Sequence, residues 1–295
     1  MAKDKTKPRP ELSSKREAIR KEQAAQRAAH RRRLAVNWII AVVIIGLVVT
    51  GITYVVLHVQ AGNHELETDG PASVTQVTPP NAGSDNLAIW ANPDAKLASD
   101  AITVDMHVDF QSGDAVNAMQ FYDAALASLA NEGKIKLYYH LHTSMDSTYS
   151  NTASTRGAEA ATCADTIGAF SDYLQAAYAG ANLTPSAGAV GFTDDQLQKQ
   201  FPATANITGA NLTAFKQCYS GRATSTFVKA MDAANQSTAV PNNTDYASGV
   251  TTTPVMLANN RTVDISTDMN NATSGPKSEA DLLTLLQTTI AAPPA

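Results

Sequence analysis

The stretch "VDFQSGDAVNAMQFY", Val108 to Tyr122, decides the fold. It joins an alternating, β-rich run, "AITVDMHVDF", to a run of helical character. In the second run Val116, Met119, Phe121, Leu126 and Leu129 recur at near-helical spacing, and Asn131-Glu132-Gly133 offers a stop. Between the two stands Ser112-Gly113-Asp114-Ala115. Serine is a good helix N-cap, and an acid in the first turn suits the positive end of the helix dipole. A strand is therefore expected to feed directly into a capped helix here.

Working outward, "KIKLYYHLH" (134–142) reads as a second strand. A long helical stretch follows: "NTASTRGAEAATCADTIGAFSDYLQAAYAG", then "TDDQLQKQF" with Thr193 as cap, then "NLTAFKQCYSGRATSTFVKAMDAANQ". "TPVMLANNRTVDI" reads as a hairpin turning at Asn259-Asn260. "KSEADLLTLLQTTI" is a closing helix with Ser278 as cap and Glu279 and Asp281 in its first turn. The order is β-α-β, helical insertion, β-β-α. It makes an α/β domain over residues 87–290, with no internal repeat.

Charge divides the chain. Residues 1–33 hold 12 Lys/Arg against 4 Asp/Glu, a net of +8; the rest holds 10 against 23, a net of −13. The acidic part argues against nucleic acid as a partner. The basic tail precedes "LAVNWIIAVVIIGLVVTGITYVVL", Leu34 to Leu57, which is 24 residues without a charge. As a helix it reaches about 36 Å, enough to cross a bilayer. Trp38 and Tyr54 lie near its ends, where such rings prefer to sit. The long basic lead and long apolar core favour an uncleaved anchor over a signal peptide. Arg31-Arg32-Arg33 abut the span, whereas "HVQAGNHELETDG" beyond it has no Lys or Arg. The expectation is a single-pass plasma-membrane protein. Its tail (1–33) is cytoplasmic and attracted to lipid, its span is 34–57, and residues 58–295 lie outside. Residues 58–86, rich in Pro, Gly, Ser, Thr and Asn, read as a linker.

Cys163 and Cys218, the only cysteines, both fall on the outer side, where an oxidising compartment favours pairing them. Their spacing excludes a CxxC motif. No cluster of His or acidic residues beside either suggests a metal, and no motif asks for a cofactor.

The order of elements resembles the thioredoxin fold with a helical insertion, as in DsbA-like proteins, especially membrane-anchored ones of actinobacterial type. Four matches over residues 86–290 carry the resemblance. "VDMHVDFQ" is similar to the strand leading to the active site, and "KIKLYYHLH" to the next strand. "AEAATCADTIGAFSDYLQAAYA" with "FKQCYSG" is similar to the insertion and its paired cysteines. "GVTTTPVMLANNRTV" is similar to the loop holding a cis proline, which implies a cis bond between Thr253 and Pro254. The resemblance also implies a groove formed by Asp109, Ser112, Gly113, Asp114, Thr253 and Pro254.

After Asp-Phe-Gln the family pattern has Cys-Pro-x-Cys. Here Ser112 takes the first cysteine position, Gly113 the proline and Ala115 the second cysteine. Thiol–disulfide exchange needs a thiolate attacking a sulfur. A serine hydroxyl lacks that acidity, and alanine cannot resolve a mixed disulfide. The family's activity therefore does not carry over, and no catalytic residue is assigned.

Ser112 as a nucleophile needs a base, and no Gly-x-Ser-x-Gly elbow is present. His107 is read onto the strand face opposite Asp109. His140 and His142 share a face of the second strand, free to pair or to hold a metal, or simply to end the strand. Asp109 is either a buried acid in the groove or an ordinary strand-end residue. Three functions remain: a redox-inactive module that binds extended or unfolded polypeptide, an oxidoreductase using Cys163 and Cys218, and a structural part of an envelope complex.

Overall fold

The parallel pairing of two strands positions everything else. Ile102–Asp109 (β2) and Ile135–His142 (β3) run side by side, in register from Ile102↔Ile135 to Asp109↔His142. A parallel pair needs a crossover, and Gly113–Asn131 (α1) supplies it. In this computed structural model the described residues are 74–83, 88–179, 192–266 and 277–292. All of them belong to the unit Gly62–Ala295 of the chain's two units. The expected tail (1–33) and span (34–57) lie outside the described residues, among which no helix is long and apolar enough to cross a membrane.

Ile89–Trp90 (β1) adds antiparallel to β3. Val255–Ala258 (β4) adds antiparallel to β2, and Arg261–Thr262 (β5) to β4. The sheet order is β1-β3-β2-β4-β5. Asn259 and Asn260, at φ 47° and 67°, turn the β4–β5 hairpin. Both angles fall in the left-handed region, which asparagine tolerates.

Strand alternation gives the sheet two different faces. Val104, Met106, Val108, Leu137, Tyr139 and Leu141 lie on one face, and all are buried. Val116, Met119, Tyr122, Leu126 and Leu129 of α1 form the apolar stripe buried in the same core. Tyr122 takes the core position that the spacing had assigned to Phe121, which is only half-buried. α1 stops where its sequence asks it to. Gly133 has φ +71°, and a Cβ there would stand 2.1 Å from the Lys96 carbonyl oxygen, so both the turn and the close approach require glycine.

The helical insertion comprises Met145–Tyr149 (α2), Ala153–Asp165 (α3) and Phe170–Ala179 (α4). A π-helical turn, Gln196–Gln200, runs into Phe201–Thr204 (α5), and Gly209–Ser220 (α6) and Ser225–Ser237 (α7) follow. α3 is buried almost all round, which is why it is rich in Ala and why its Arg156, Glu159 and Thr162 are paired within the domain. Its Gly157 faces Phe110, whose ring atoms would be 2.7 Å from an added Cβ. α7 lies against β3 on the other face of the sheet, and Glu279–Ala291 (α8) packs against α1. Ser278 Oγ caps α8 by accepting from Asp281 N at 3.2 Å.

Two features depart from the expectations. β1 has only two residues, too few to show any alternation, and sequence reading missed it. Residues 74–83, assigned to the linker, run along the domain. Val77 N donates to Ala223 O at 2.8 Å, and Asn81 N donates to Asp165 Oδ2 at 2.9 Å. Polar and backbone groups make these attachments, so the segment carries no apolar signature.

Candidate functional site

The turn after β2 is a helix cap. Ser112 has extended backbone (φ −79°, ψ 114°), and its Oγ accepts from Ala115 N at 3.2 Å. Gly113 is half-buried and Asp114 is exposed in the first turn of α1, whereas Ala115 is fully buried. Ser112 Oγ also donates to Thr253 O at 3.2 Å. The Thr253–Pro254 peptide bond is cis. Thr251 and Thr252 are exposed, and Thr253 and Pro254 half-buried. Among the described residues the Thr253 N–H makes no hydrogen bond. β4 begins at Val255, immediately beyond.

Beneath the turn lies a polar network. Asp109, at the end of β2, is fully buried. Its Oδ1 accepts from Gln111 N (2.9 Å) and Ser154 Oγ (2.5 Å), and its Oδ2 from Met145 N (3.1 Å). One carboxylate thus ties the turn, the start of α2 and the start of α3. Gln111 Nε2 donates to Asp146 Oδ1, Asn151 Oδ1 and Ser154 Oγ, and Asn151 Nδ2 returns a bond to Gln111 Oε1. Asp146 caps α3 by accepting from Ser154 N and Thr155 N. Burial raises the Asp109 carboxyl to about 6 against the pull of the donors from Ser154, Gln111 and Met145. Burial likewise raises Asp146.

Three histidines gather on the α7 face of the sheet. His107 Nδ1 and His142 Nε2 are 3.0 Å apart, and the His107 ring stacks on His140 at 4.1 Å between centroids. His140 also meets Asp105 Oδ1 (3.0 Å) and Asn235 Oδ1 (2.9 Å). His107 therefore lies with His140 and His142 on the face that alternation gives to Asp109 as well. The expectation that His107 and Asp109 oppose each other fails because they are two residues apart in a strand of period two. Burial lowers the pKa of His107, and the neighbouring His140 and His142 lower it further. Burial also lowers His142, to about 4, against the opposing effect of Asp232. Among the described residues no group of three or more His, Cys, Asp or Glu is disposed to hold a metal.

Cys163 and Cys218 form a disulfide between α3 and α6, with Cα atoms 5.7 Å apart. The site residues expected from sequence thus separate into two places. Asp109, Ser112, Gly113, Asp114, Thr253 and Pro254 share the junction of β2, α1 and β4, and the cysteines belong to the insertion. Sequence reading missed Gln111, Asp146 and Ser154, whose roles arise only once α2 and α3 fold over the turn.

Comparison with solved structures accords with this architecture. The MdbA protein, a thiol-disulfide oxidoreductase from Actinomyces oris, is 16% identical, with 74% of this chain and 95% of that one covered at a TM-score of 0.54. The fold is the DsbA-like thioredoxin fold. The reduced disulfide bond oxidoreductase DsbG from Mycobacterium tuberculosis is 15% identical over 72% of this chain and 90% of that one, with a TM-score of 0.49. No family model and no curated protein matches the sequence. Within this DsbA-like fold, Ser112 and Ala115 stand where α1 begins, and the cis proline loop faces them.

Proposed function

We propose that the chain is a membrane-anchored, extracytoplasmic DsbA-like module that holds extended polypeptide without thiol–disulfide exchange. The observation that carries this reading is the junction itself. Ser112 Oγ is committed to the Ala115 amide and the Thr253 carbonyl, Ala115 is buried, and the Thr253 N–H has no partner among the described residues. An unpaired backbone donor beside a strand end can bond an extended peptide by strand addition. Nothing at that place can attack a disulfide. The anchor reading rests on the uncharged run Leu34 to Leu57 and its basic flank. On this reading the bilayer is one partner, an unfolded or extended polypeptide the other, and nucleic acid none.

The other two readings lack an observation of this kind. An oxidoreductase working through Cys163 and Cys218 would have to use a bond whose Cys163 half is fully buried. A purely structural role in an envelope complex leaves the unpaired Thr253 amide without a purpose.

The test is binding of a cysteine-free, unfolded polypeptide to the purified protein. Saturable binding is expected. Gly113→Trp fills the space beside Ser112 and should abolish binding while leaving the melting temperature near wild type. Equal binding by the folded Gly113→Trp protein would place the client elsewhere and overturn the groove.

A further inference from the structure

Residues 76–82 are fastened to the domain by two sets of side-chain bonds and also along β1, where Trp90 N donates to Asn81 O at 2.9 Å and Ala82 bridges Ile89. Gln76 makes the first. Its Oε1 accepts from Ser225 Oγ (3.0 Å) and from Thr226 N (3.0 Å) at the start of α7, and its Nε2 donates to Arg222 O (3.1 Å). Val77 N adds its bond to Ala223 O. Asn81 makes the second. Its backbone N and its Nδ2 donate to Asp165 Oδ2 and Oδ1, both at 2.9 Å. Asp165 is fully buried, so without Asn81 its carboxylate would lose both donors. Pro79, midway between the two fastenings, is buried.

Both fastenings fall within a few residues of a disulfide cysteine in sequence. Asp165 stands two residues past Cys163, and Ala223 five past Cys218, with Ala223 N donating to Cys218 O at 3.0 Å. On the insertion side Thr224 Oγ1 lies 3.7 Å from Cys163 Sγ and bonds Thr162 Oγ1, and Arg222 pairs with Glu159 at 2.8 Å. Cys163 is fully buried and Cys218 half-buried.

We infer that residues 76–82 are a strap closed over the Cys163–Cys218 disulfide, and that undocking of this strap admits an external dithiol to the bond. The reaction then balances as ordinary exchange. A thiolate of the dithiol attacks Cys218 Sγ, the Cys163–Cys218 bond breaks, and Cys163 leaves with the electron pair and takes up a proton. The second thiol attacks the mixed disulfide, releasing Cys218 as a thiol and closing the dithiol into its own disulfide.

The experiment follows the rate at which dithiothreitol reduces the bond in the full-length protein, read by alkylation and mass. Amide exchange at Val77 reports whether the strap is docked. Gln76→Ala/Asn81→Ala, and separately Asn81→Asp, which sets a carboxylate against Asp165, should undock it. Each should speed reduction by about tenfold or more, since local opening then no longer limits access. Wild-type reduction should in turn be much slower than that of the same chain unfolded in urea. A variant with an exchanging Val77 amide but wild-type reduction rate would overturn the inference. So would a native wild-type bond reduced as fast as the unfolded one, whether or not the variants fold.

Discussion

The Ser112 hydroxyl bridges the start of α1 to the cis proline loop, accepting from Ala115 N and donating to Thr253 O, each at 3.2 Å. One side chain therefore caps the helix and ties its start to the cis proline loop. In an active thioredoxin-type turn the atom at this place would be a reactive sulfur. Here it is an oxygen with both roles filled.

Removing that oxygen should be felt in stability. Ser112→Ala loses the cap and leaves the Thr253 carbonyl without its donor. A cost of about 1 kcal/mol is expected from the cap alone. Urea unfolding of the two proteins measures it, with no change in slope. A neutral Ser112→Ala would mean that the bridge does not form in solution.

Stability should depend on pH through two groups of opposite sign. The folded state raises the Asp109 carboxyl to about 6, so its contribution is fully present below the ordinary carboxylate range and is lost as pH rises through about 6. The folded state lowers His142 to about 4, so its contribution is present above the ordinary histidine value and is lost as pH falls through about 4. Each amounts to about 3 kcal/mol over its window. Asp109→Asn should therefore make the protein more acid-sensitive between pH 6.5 and 4 than wild type. His142→Gln should do the reverse. Thermal melts across that range give both slopes, and identical profiles for the three proteins would contradict the burial of these groups.

The disulfide should serve stability. Cys163→Ser/Cys218→Ser frees a closed segment of 55 residues' separation, at a cost of about 4 kcal/mol. Unfolding in urea should shift by that amount while polypeptide binding persists in the folded fraction. Loss of binding in a folded variant would tie the cysteines to function.

The proposed topology rests on charge. Protease added to cells stripped of their wall should remove the acidic domain and spare the basic tail of residues 1–33. A protected C-terminus would reverse the orientation.

Much of this was legible in the residues. β2, α1, β3, the Asn259-Asn260 hairpin and the Ser278-capped closing helix each carry a local signal, whether alternation, helical spacing, turn chemistry or a cap. The cis bond before Pro254 came from family resemblance and not from any local rule. What the sequence concealed depends on contacts between distant segments. Gln76 and Asn81 look like linker residues until α3, α7 and the turn before α7 supply their partners. Asp109 reads as either a strand-end acid or a buried one, and only Ser154 and Met145, brought in by α2 and α3, decide between the two. His107 was misplaced by a slip of strand phase, which the stacking on His140 corrects.

The most direct test of the central claim is insulin reduction driven by a dithiol, with wild type compared to Ser112→Cys/Ala115→Cys. Wild type should not exceed the uncatalysed rate. The double variant should form the new bond on the same backbone and gain turnover, increased further by Asp114→Asn, since Asp114 disfavours a neighbouring thiolate. Wild-type turnover above background, persisting or abolished when Cys163 and Cys218 are both serine, would contradict the account.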